Sequence, residues 1–481
     1  MPPFPFSLGV ASGAPLPSAV VIWTRLAPRP LDGGGLGNRR VPVDWEVARD
    51  ERFRRVVRRG RVVATAARAH SVHVDVRRLD PGRQYFFRFR ALGEISPTGR
   101  TRTAPAAGAR VASLRFGVAS CQHFEVGFFS AYRHALAEDL DVMAFLGDYI
   151  YEGPAREGPD RVRTHIGDET ETLAEYRNRH AQYKTDPDLQ RLHAAVPWLV
   201  TWDDHEVDND YAGDQASSLR ANFIRRRAAA YRAYFEHMPV RGPAPRLHRR
   251  YDWGALARLH VLDGRQFRTP QACPGPGRGG SRFLPFDEDC PELADPARTM
   301  LGGDQERWLR AGISAFPERW QVIAQQTVMT QAIITREGQQ GIATDAWDGY
   351  PQARKRLLTH IRDRDARSCL VVTGDRHVNY VADLKVDFDD PDAEPVATEF
   401  CGTSVTSPRG QSVSEVQGVL RDNPHIHHGD GSQRGYMVVE VGPERAVARM
   451  RVIDDPMDRN TAVATQATFA VEAGRPGAVP G

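Results

Sequence analysis

The alternation of hydrophobic and polar positions changes character about a quarter of the way along the chain. Up to residue 106, short runs such as AVVIWTRL, HSVHVDVRRL and QYFFRFRALG alternate with a period of two, between Gly, Pro and Asp turns. This spacing is typical of a β-sandwich, because alternate side chains of a strand point to opposite faces. No helical period interrupts these runs, so we predict a small β domain over residues 1–106.

The most informative part of this first domain is the segment that begins RRLDPG. Leu-Asp-Pro-Gly followed by an alternating Tyr- and Phe-rich strand resembles the penultimate corner and strand of fibronectin type III domains. That resemblance implies that Tyr85 is the corner tyrosine and Trp45 a core aromatic. The Pro-, Ala- and Gly-rich stretch TAPAAGARVA then predicts a linker, which leaves residues 107–481 for a second domain.

Beyond the linker, apolar runs of strand length alternate with segments of helical period. LRFGVAS, DVMAFLGDYIY and SCLVVTGDRH predict buried strands, and residues 172–192 and 219–237 predict helices with aromatic residues on one face. This pattern indicates an α/β layer architecture, in which reactive groups lie just past the carboxyl ends of strands. The polar motifs of the chain fall at those positions.

The strongest candidate for chemistry is TWDDHEVDND, residues 201–210, which directly follows the apolar run PWLV. Asp and Glu are rarely buried unless they are paired or bind a metal, so this string predicts a site for a hard cation. For the string alone, a solvated acidic turn is the competing interpretation.

Three other predicted strands end in residues that suit the same kind of site. Taken singly, each is more typical of a buried thiol, a packed aromatic or a core histidine. An Asp-x-His pair places both side chains on one side if the strand stays extended, so both can reach one centre. Carboxylates suit calcium, magnesium or manganese, whereas thiolate, phenolate and imidazole suit a softer or higher-valent ion, which indicates two unlike metals. The residues are Cys121, Asp148, Tyr151, Asp375 and His377, and they join Asp204 and His205 of the TWDDHEVDND string.

Nine motifs in one order over nearly the whole chain, GVASG, ASCQ, GDYIYE, WDDHEV, LDGRQFR, QQTVM, WDGYP, GDRHVNY and SQRGYMVVEV, resemble the PhoD-type alkaline phosphatases. These belong to the calcineurin-like metallophosphoesterases. The resemblance implies a fibronectin type III-like β-sandwich followed by an αββα metallophosphoesterase domain, with Fe3+ and Ca2+ at the site; the second metal could be another divalent ion. By motif, the implied ligands are Cys121, Asp148 and Tyr151 for iron, with Asp148 bridging, then Asp204, Asp375 and His377, and Asn209 for calcium.

The expected reaction is hydrolysis of phosphate mono- and diesters by a metal-held hydroxide. Asp204 and His205 are the catalytic candidates, with His205 protonating the leaving alkoxide; support of Asp204 is the competing role for His205. Arg226 is a candidate to bind a phosphate oxygen, against the alternative of a salt bridge on a helix face. A phospholipase D-like diesterase acting on lipid headgroups and a non-catalytic surface-binding module are the alternative functions.

Two loops are expected beside the site. Residues 339–351, which contain AWDGYP, could form a lid that sets substrate size. The string NPHIHHGD, with His425, His427 and His428, is expected to form a mobile loop over the site with at most a minor ligand role.

Composition adds limits on partners and location. The net charge is only +3, from 64 Lys and Arg against 61 Asp and Glu, which argues against a nucleic-acid-binding surface. No apolar run is long enough to span a membrane, and the first residues lack a signal peptide, including the family's usual twin-arginine one. We expect a soluble monomer that is extracellular or periplasmic by resemblance, with a cytoplasmic location left open. A Cys273–Cys290 bridge would imply an oxidising compartment, whereas two loop thiols would not.

Overall fold

The strands of the N-terminal region divide between two sheets. The computed structural model describes residues 4–481. β3, β4, β6, β7 and β8 form one sheet, and β1, β2 and β5 form an antiparallel set that packs on it through Val20, Ile22, Val43 and Phe87. The elements are β1 (Val10–Leu16), β2 (Ala19–Arg25), β3 (Val41–Ala48), β4 (Val56–Ala64), β5 (Ser71–Arg77), β6 (Gln84–Ala91), β7 (Glu94–Ile95) and β8 (Gly99–Arg102).

The predicted corner tyrosine has the expected contact, because the backbone N–H of Asp80 donates to the Tyr85 hydroxyl at 2.8 Å. Trp45 lies at the side of this core and is partly buried over Gly60. The local sequence signals of the β-sandwich are therefore confirmed.

The remainder of the chain alternates strands and helices before it ends in antiparallel strands. The elements are β9 (Leu114–Ala119), α1 (Ala131–Ala135), β10 (Val142–Phe145), α2 (Leu173–Tyr183), α3 (Pro187–Ala195), β11 (Pro197–Val200), α4 (Phe223–His237), β12 (Arg249–Trp253), β13 (Ala257–Val261), β14 (Phe283–Pro285), α5 (Gly303–Ala315), β15 (Trp320–Ala324), β16 (Ile334–Arg336), β17 (Gln339–Ala343), α6 (Pro351–Asp363), β18 (Cys369–Thr373), β19 (Asn379–Leu384), β20 (Ala397–Cys401), α7 (Val413–Asp422), β21 (Ile426–Asp430), β22 (Arg434–Val441), β23 (Arg445–Ile453), β24 (Val463–Glu472) and β25 (Arg475–Pro480).

Two large sheets form the centre of the molecule, as the predicted αββα architecture requires. The first has the order β25-β24-β23-β22-β9-β10-β11-β1-β2-β5 and the second the order β12-β13-β15-β18-β20-β19-β21. Phe116, Leu199, Val322 and Leu370 belong to the core between them. Separate cores lie under α1 to α4 and under α5 and α6. Strands β10 and β11 are uniformly apolar because helices and sheets cover both of their faces.

The first sheet joins the two regions. β1 pairs in parallel with β11, with Ser12 opposite Pro197 and Gly13 opposite Trp198. The N-terminal strands therefore extend the sheet that holds the site. We did not predict this connection when we placed the domain boundary at residue 106. That boundary itself stays a prediction.

The predicted helix over residues 172–192 is two helices. α2 begins with a capping box between Thr172 and Glu175. α3 is capped by Asp186, whose side chain accepts the N–H groups of Asp188 and Leu189. Pro187 occupies the first position of α3, where its missing N–H costs nothing. An Asp-Pro pair thus starts a new helix where the periodicity alone suggested continuation.

Candidate metal centre

Parallel strands of both sheets end at one place, and the predicted site residues follow them. Cys121 comes after β9, Asp148 after β10, and Asp203 and Asp204 after β11; from the second sheet, Asp375 and His377 come after β18. Because the carboxyl ends of parallel strands share an edge of a sheet, these side chains converge as the sequence predicted.

The first group at this edge contains Cys121, Asp148 and His377, whose ligand atoms all lie within 4.8 Å of one another. The Tyr151 hydroxyl donates to Oδ2 of Asp148 at 2.8 Å and accepts from Oγ of Ser407 at 2.6 Å. Thiol, carboxylate, imidazole and phenol thus face one point, which is the donor set expected for a high-valent or soft ion.

Two further groups share members with the first. Asp148, Asp204 and His205 form one, and Asp203, Asp204 and Asp375 form the other, each with ligand atoms within 4.8 Å. Asp148 links the first group to the second, and Asp204 links the second to the third. The arrangement offers adjacent positions for more than one cation.

The strand ends reach this geometry through left-handed backbone conformations. The φ angles are 59° at Cys121, 57° at Asp148, 64° at Asp375 and 58° at His377. Such values are uncommon for residues other than glycine and concentrate at functional sites. The premise that Asp375 and His377 stay extended is therefore wrong: the chain turns between them, and they contribute to different groups.

Unpaired buried atoms show that the residues fit bound metal ions. Oδ1 of Asp148 and Oδ2 of Asp203 are buried and have no hydrogen-bond partner among the described residues. Nδ1 of His377 lies 2.6 Å from the Pro408 carbonyl, to which it must donate, so Nε2 is the free ligand atom. Buried polar atoms are normally satisfied, and a cation would satisfy these.

The pKa shifts of these residues also indicate that they fit bound metal ions. Burial raises the pKa of the Cys121 thiol well above its ordinary value, and Asp148 adds to the effect. Burial also raises the pKa of Asp375 to about 8, although the nearby Arg265 guanidinium opposes that shift. Groups that resist ionisation in an acidic pocket become ionised when a metal supplies the balancing charge.

Arg265, which sequence reasoning missed, is the fixed cation of this pocket. It is fully buried, donates through Nε to Asp203, and pairs with Asp345 at 2.8 Å. Its Nη2 lies 3.7 Å from Asp204 and 3.6 Å from Asp375. The motif LDGRQFR contained this residue, but the carboxylates that surround it come from distant parts of the chain.

His205 has a carboxylate partner that was also missed. Its Nδ1 lies 2.7 Å from Oε2 of Glu152, the last residue of GDYIYE, and its ring packs 4.2 Å from the Tyr151 ring. Burial opposes protonation of His205, but the charges of Glu152, Asp148 and Asp204 raise its pKa well above the ordinary value. The Glu152 carboxylate therefore favours the protonated form of the imidazole. The backbone N–H of His205 also donates to Oδ1 of Asp204. The contact with Glu152 suits the predicted role of general acid, and the contact with Asp204 suits the predicted role of supporting Asp204.

A third histidine-containing group lies behind Tyr151 and contains His123, Glu125 and His165. Glu125 accepts the backbone N–H groups of Arg156 and His165 at 3.0 and 2.9 Å. Nε2 of His165 bonds the Tyr183 hydroxyl at 3.0 Å. These side chains are thus engaged in hydrogen bonds that support the wall of the site.

Two predicted site residues have other surroundings. The Asn209 side chain is exposed, and its backbone N–H donates to Glu152 at 2.8 Å. Arg226 is buried and pairs with Asp208 at 3.1 Å and Glu169 at 2.8 Å, which is the salt-bridge alternative. Calcium binding by Asn209 and phosphate binding by Arg226 stay predictions.

The structure corrects the expectations for both loops. His427 and His428 belong to β21, which pairs with β19, so NPHIHHGD is largely a strand and not a loop over the site. Within residues 339–351, Trp347 is 1% exposed and bonds Gln325, so this segment is part of the packed wall and not a free lid. Its Asp345 holds Arg265 in place.

The cysteines that bracket the glycine-rich loop, Cys273 and Cys290, form a disulfide bond. Cys369 and Cys401 are free and buried. Within the disulfide loop, Ser281 donates to Asp210 at 2.6 Å, and the Asp210 N–H in turn donates to Asp204 at 2.7 Å. The bridged loop therefore supports one side of the metal centre.

Comparisons with known proteins agree with this geometry. Residues 116–450 match the family model of the PhoD-like phosphatases, and residues 2–105 match the model of the PhoD-like phosphatase N-terminal domain. Alkaline phosphatase D of Bacillus subtilis (strain 168) is 42% identical over 483 residues, which cover 98% of this chain and 81% of that protein. A solved structure described as PhoD is 41% identical and superposes with a TM-score of 0.93 over 99% of this chain and 92% of that one. The chain belongs to the PhoD-like phosphatase family.

Proposed function

We propose that this phosphatase hydrolyses phosphate mono- and diesters at the metal centre with Fe3+ and Ca2+ as its cofactors. The observation that carries the proposal is the convergence of the Cys121–Asp148–His377 group with the acidic groups around Asp204. The conclusion that the protein is a metal-dependent phosphoesterase follows from the family; the metals, the substrates and the residue roles are the parts we propose.

The donor types favour ferric iron at Cys121, Asp148, Tyr151 and His377, because three anionic ligands balance its charge. The oxygen-rich side around Asp204 and Asp375 favours calcium or another hard divalent ion. Bound there, the two cations would offset the negative charge of the phosphoryl group and lower the pKa of the attacking water.

The side chains of the protein supply positioning and a proton. Asp148 and Asp204 each belong to two of the metal groups and therefore link the proposed iron side of the centre to the proposed calcium side. Arg265 fixes the carboxylates that surround it. With Nδ1 of His205 bonded to Glu152, Nε2 is the atom that protonates the leaving alkoxide. Glu152 keeps that imidazole oriented and charged.

A two-part experiment tests the proposal. Purified protein is analysed for iron and calcium by elemental mass spectrometry, and a chromogenic diester and monoester are then assayed with and without a chelator. We expect both metals and chelator-sensitive turnover of at least one ester. Protein that binds neither metal and turns over neither ester would fit the surface-binding alternative; turnover of phospholipid headgroups alone would fit the phospholipase D-like one.

We propose an extracellular or periplasmic location and a monomeric state. The Cys273–Cys290 bridge supports the first, because such bonds persist in oxidising compartments. Among the described residues, no helix has both the length and the apolar character needed to cross a bilayer. Thiol labelling of protein from fractionated cells and light scattering of the purified protein test the two proposals.

A further inference from the structure

We propose that Glu206 is a positioning residue that sets the spacing between the two loops on which the metals are held. The inference rests on the proposed function, since it concerns the same centre. Glu206 was not among the predicted site residues, and its side chain is fully buried.

The Glu206 carboxylate accepts three backbone N–H groups from two different loops. Oε1 accepts from Tyr149 at 2.6 Å, and Oε2 accepts from Asp148 at 3.0 Å and from Asp203 at 2.8 Å. Two of these donors belong to residues that face the metal centre, and the third is the neighbour of Asp148. One side chain therefore joins the loop after β10 to the loop after β11 at the residues that matter for metal binding.

The two loops are also in direct backbone contact, so small shifts of one are transmitted to the other. A Cβ on Gly147 would lie 2.4 Å from the Cβ of Asp203 and 2.5 Å from its backbone nitrogen. Asp148, next to this contact, has a φ of 57°, a left-handed conformation that persists only where surrounding contacts hold it. The hydrogen bond from the Asp148 N–H to Glu206 is one such contact.

The chemistry of a carboxylate is needed here. Three N–H donors on two oxygens require that both oxygens accept, and a glutamine offers only one acceptor oxygen beside an NH2 group. The Glu206→Gln substitution keeps the shape of the side chain but turns an N–H group toward another N–H group. Partners that orient metal ligands typically change metal affinity or activity by about 10–100-fold when they are replaced.

Glu399 provides a matched control. It is also buried, and it accepts the N–H groups of Met329 at 2.9 Å and Thr330 at 2.7 Å and the hydroxyl of Thr373 at 2.7 Å. Its donors include no backbone group of a residue in the three metal groups. Glu399→Gln thus makes the same chemical change in the second sheet without touching the loops after β10 and β11. Its contact nearest to a candidate ligand is the side chain of Thr373, two residues before Asp375.

The experiment measures loss of iron and calcium to EDTA from the holoprotein, followed by elemental mass spectrometry, alongside kcat and KM on a chromogenic diester. We expect Glu206→Gln to lose metal about 10–100-fold faster than wild type and to lower kcat more than it raises KM. Glu399→Gln should lower the melting temperature similarly and retain its metals like the wild type.

Equal metal retention in Glu206→Gln and wild type, or equal loss in both variants, would overturn the inference. If Glu206→Gln does not fold, Glu206→Asp keeps the charge and shortens the reach by one methylene; normal metal retention in that variant would overturn it as well. A wild-type protein that binds neither metal would instead refute the proposed function, so the two failures are distinguishable.

Discussion

Arg25 in the N-terminal region and Arg265 at the metal centre are both buried, but they lie in opposite electrostatic surroundings. Arg25 donates to the Ala69 carbonyl at 2.9 Å and lies 2.9 Å from Nε2 of His237, and burial together with Arg177 lowers its pKa to about 10. Burial also acts against the charge of Arg265, yet the carboxylates of Asp203, Asp204, Asp345 and Asp375 raise its pKa well above the ordinary value.

The contrast extends to the regions around them. Of residues 4–106, Arg25 is the only Asp, Glu, Lys or Arg that is buried, whereas the metal centre brings Asp148, Asp203, Asp204 and Asp345 into the interior. Burying charge is expensive unless it is paired. Buried charge is thus almost absent from the N-terminal region and common in the rest of the described chain. At the metal centre the excess of negative charge favours the binding of cations.

The largest effect should come from removing a carboxylate that links the metal groups. Asp148→Asn keeps the shape but removes the charge shared by two groups, so we expect a loss of kcat/KM of about 10³-fold or more together with lost metal. Asp44→Asn, in an exposed pair with Arg61, is the control and should leave kcat/KM unchanged. Full activity of Asp148→Asn would refute the ligand assignment.

The two arginines themselves give the next test. Arg265→Met leaves Asp203 without its ion-pair partner, while Asp345 keeps its pair with Arg268. Breaking a buried ion pair costs about 3–5 kcal/mol. Arg25→Met leaves a carbonyl and an imidazole without a partner, for which we expect about 1–3 kcal/mol. Urea unfolding of both variants in the presence of excess chelator measures the difference; equal losses would mean that the surroundings of the two arginines matter less than we infer.

Phe87→Ala, in the N-terminal core, tests whether stability changes without a change in kcat. Phe87 is fully buried between the N-terminal sheets, and Phe87→Ala should cost about 3–5 kcal/mol of stability. Because Phe87 is in the N-terminal core, kcat per folded molecule should not change. A change in kcat at a temperature where the variant is fully folded would show that the N-terminal core influences the metal centre.

Glu152→Gln tests a carboxylate that acts through a neighbour. The hydrogen bond between Glu152 and His205 orients the imidazole and favours its protonated form. We therefore expect kcat to fall on the order of 10- to 100-fold, which is less than the full contribution of a general acid. Metal content should be retained, which separates this variant from Asp148→Asn. Retained kcat would leave support of Asp204 as the role of His205.

The smallest expected effect is at the largely exposed His427, whose hydrogen bond to Asp383 at 2.8 Å raises its pKa. A raised folded-state pKa stabilises the fold below the unfolded value of about 6.5 and loses that contribution as pH rises through the folded pKa. For a partly exposed pair the contribution is below about 1 kcal/mol. Urea unfolding of His427→Asn and wild type at acidic and alkaline pH should differ only at acidic pH.

The sequence predicted those parts of the site that depend on local order. Apolar runs that end in Cys121, Asp148 or Asp375 place these residues at strand ends, and parallel strands bring such ends together. The layer architecture followed from the same alternation of strands and helices. Family motifs added an expected metal pair, which spacing alone could not supply.

What the sequence missed depends on contacts between distant segments. Arg265 is one of many basic residues, and only the fold surrounds it with carboxylates from three other segments. Glu206 stands in a quoted motif, but its role lies in backbone N–H groups that no side-chain pattern encodes. The strand at 426–430 was mistaken for a loop because its histidines suggested ligands; β-pairing to Tyr380 and Val381 decides its structure.

The parallel pairing of β1 with β11 means that the sheet of the second region is completed by strands of the N-terminal region. A fragment starting after the linker would leave one side of Pro197–Val200 as an open edge, with backbone groups that normally bond to Ser12 and Gly13. Open edges of this kind recruit other chains and promote aggregation. The small N-terminal region thus covers the edge of the sheet that carries the metal centre.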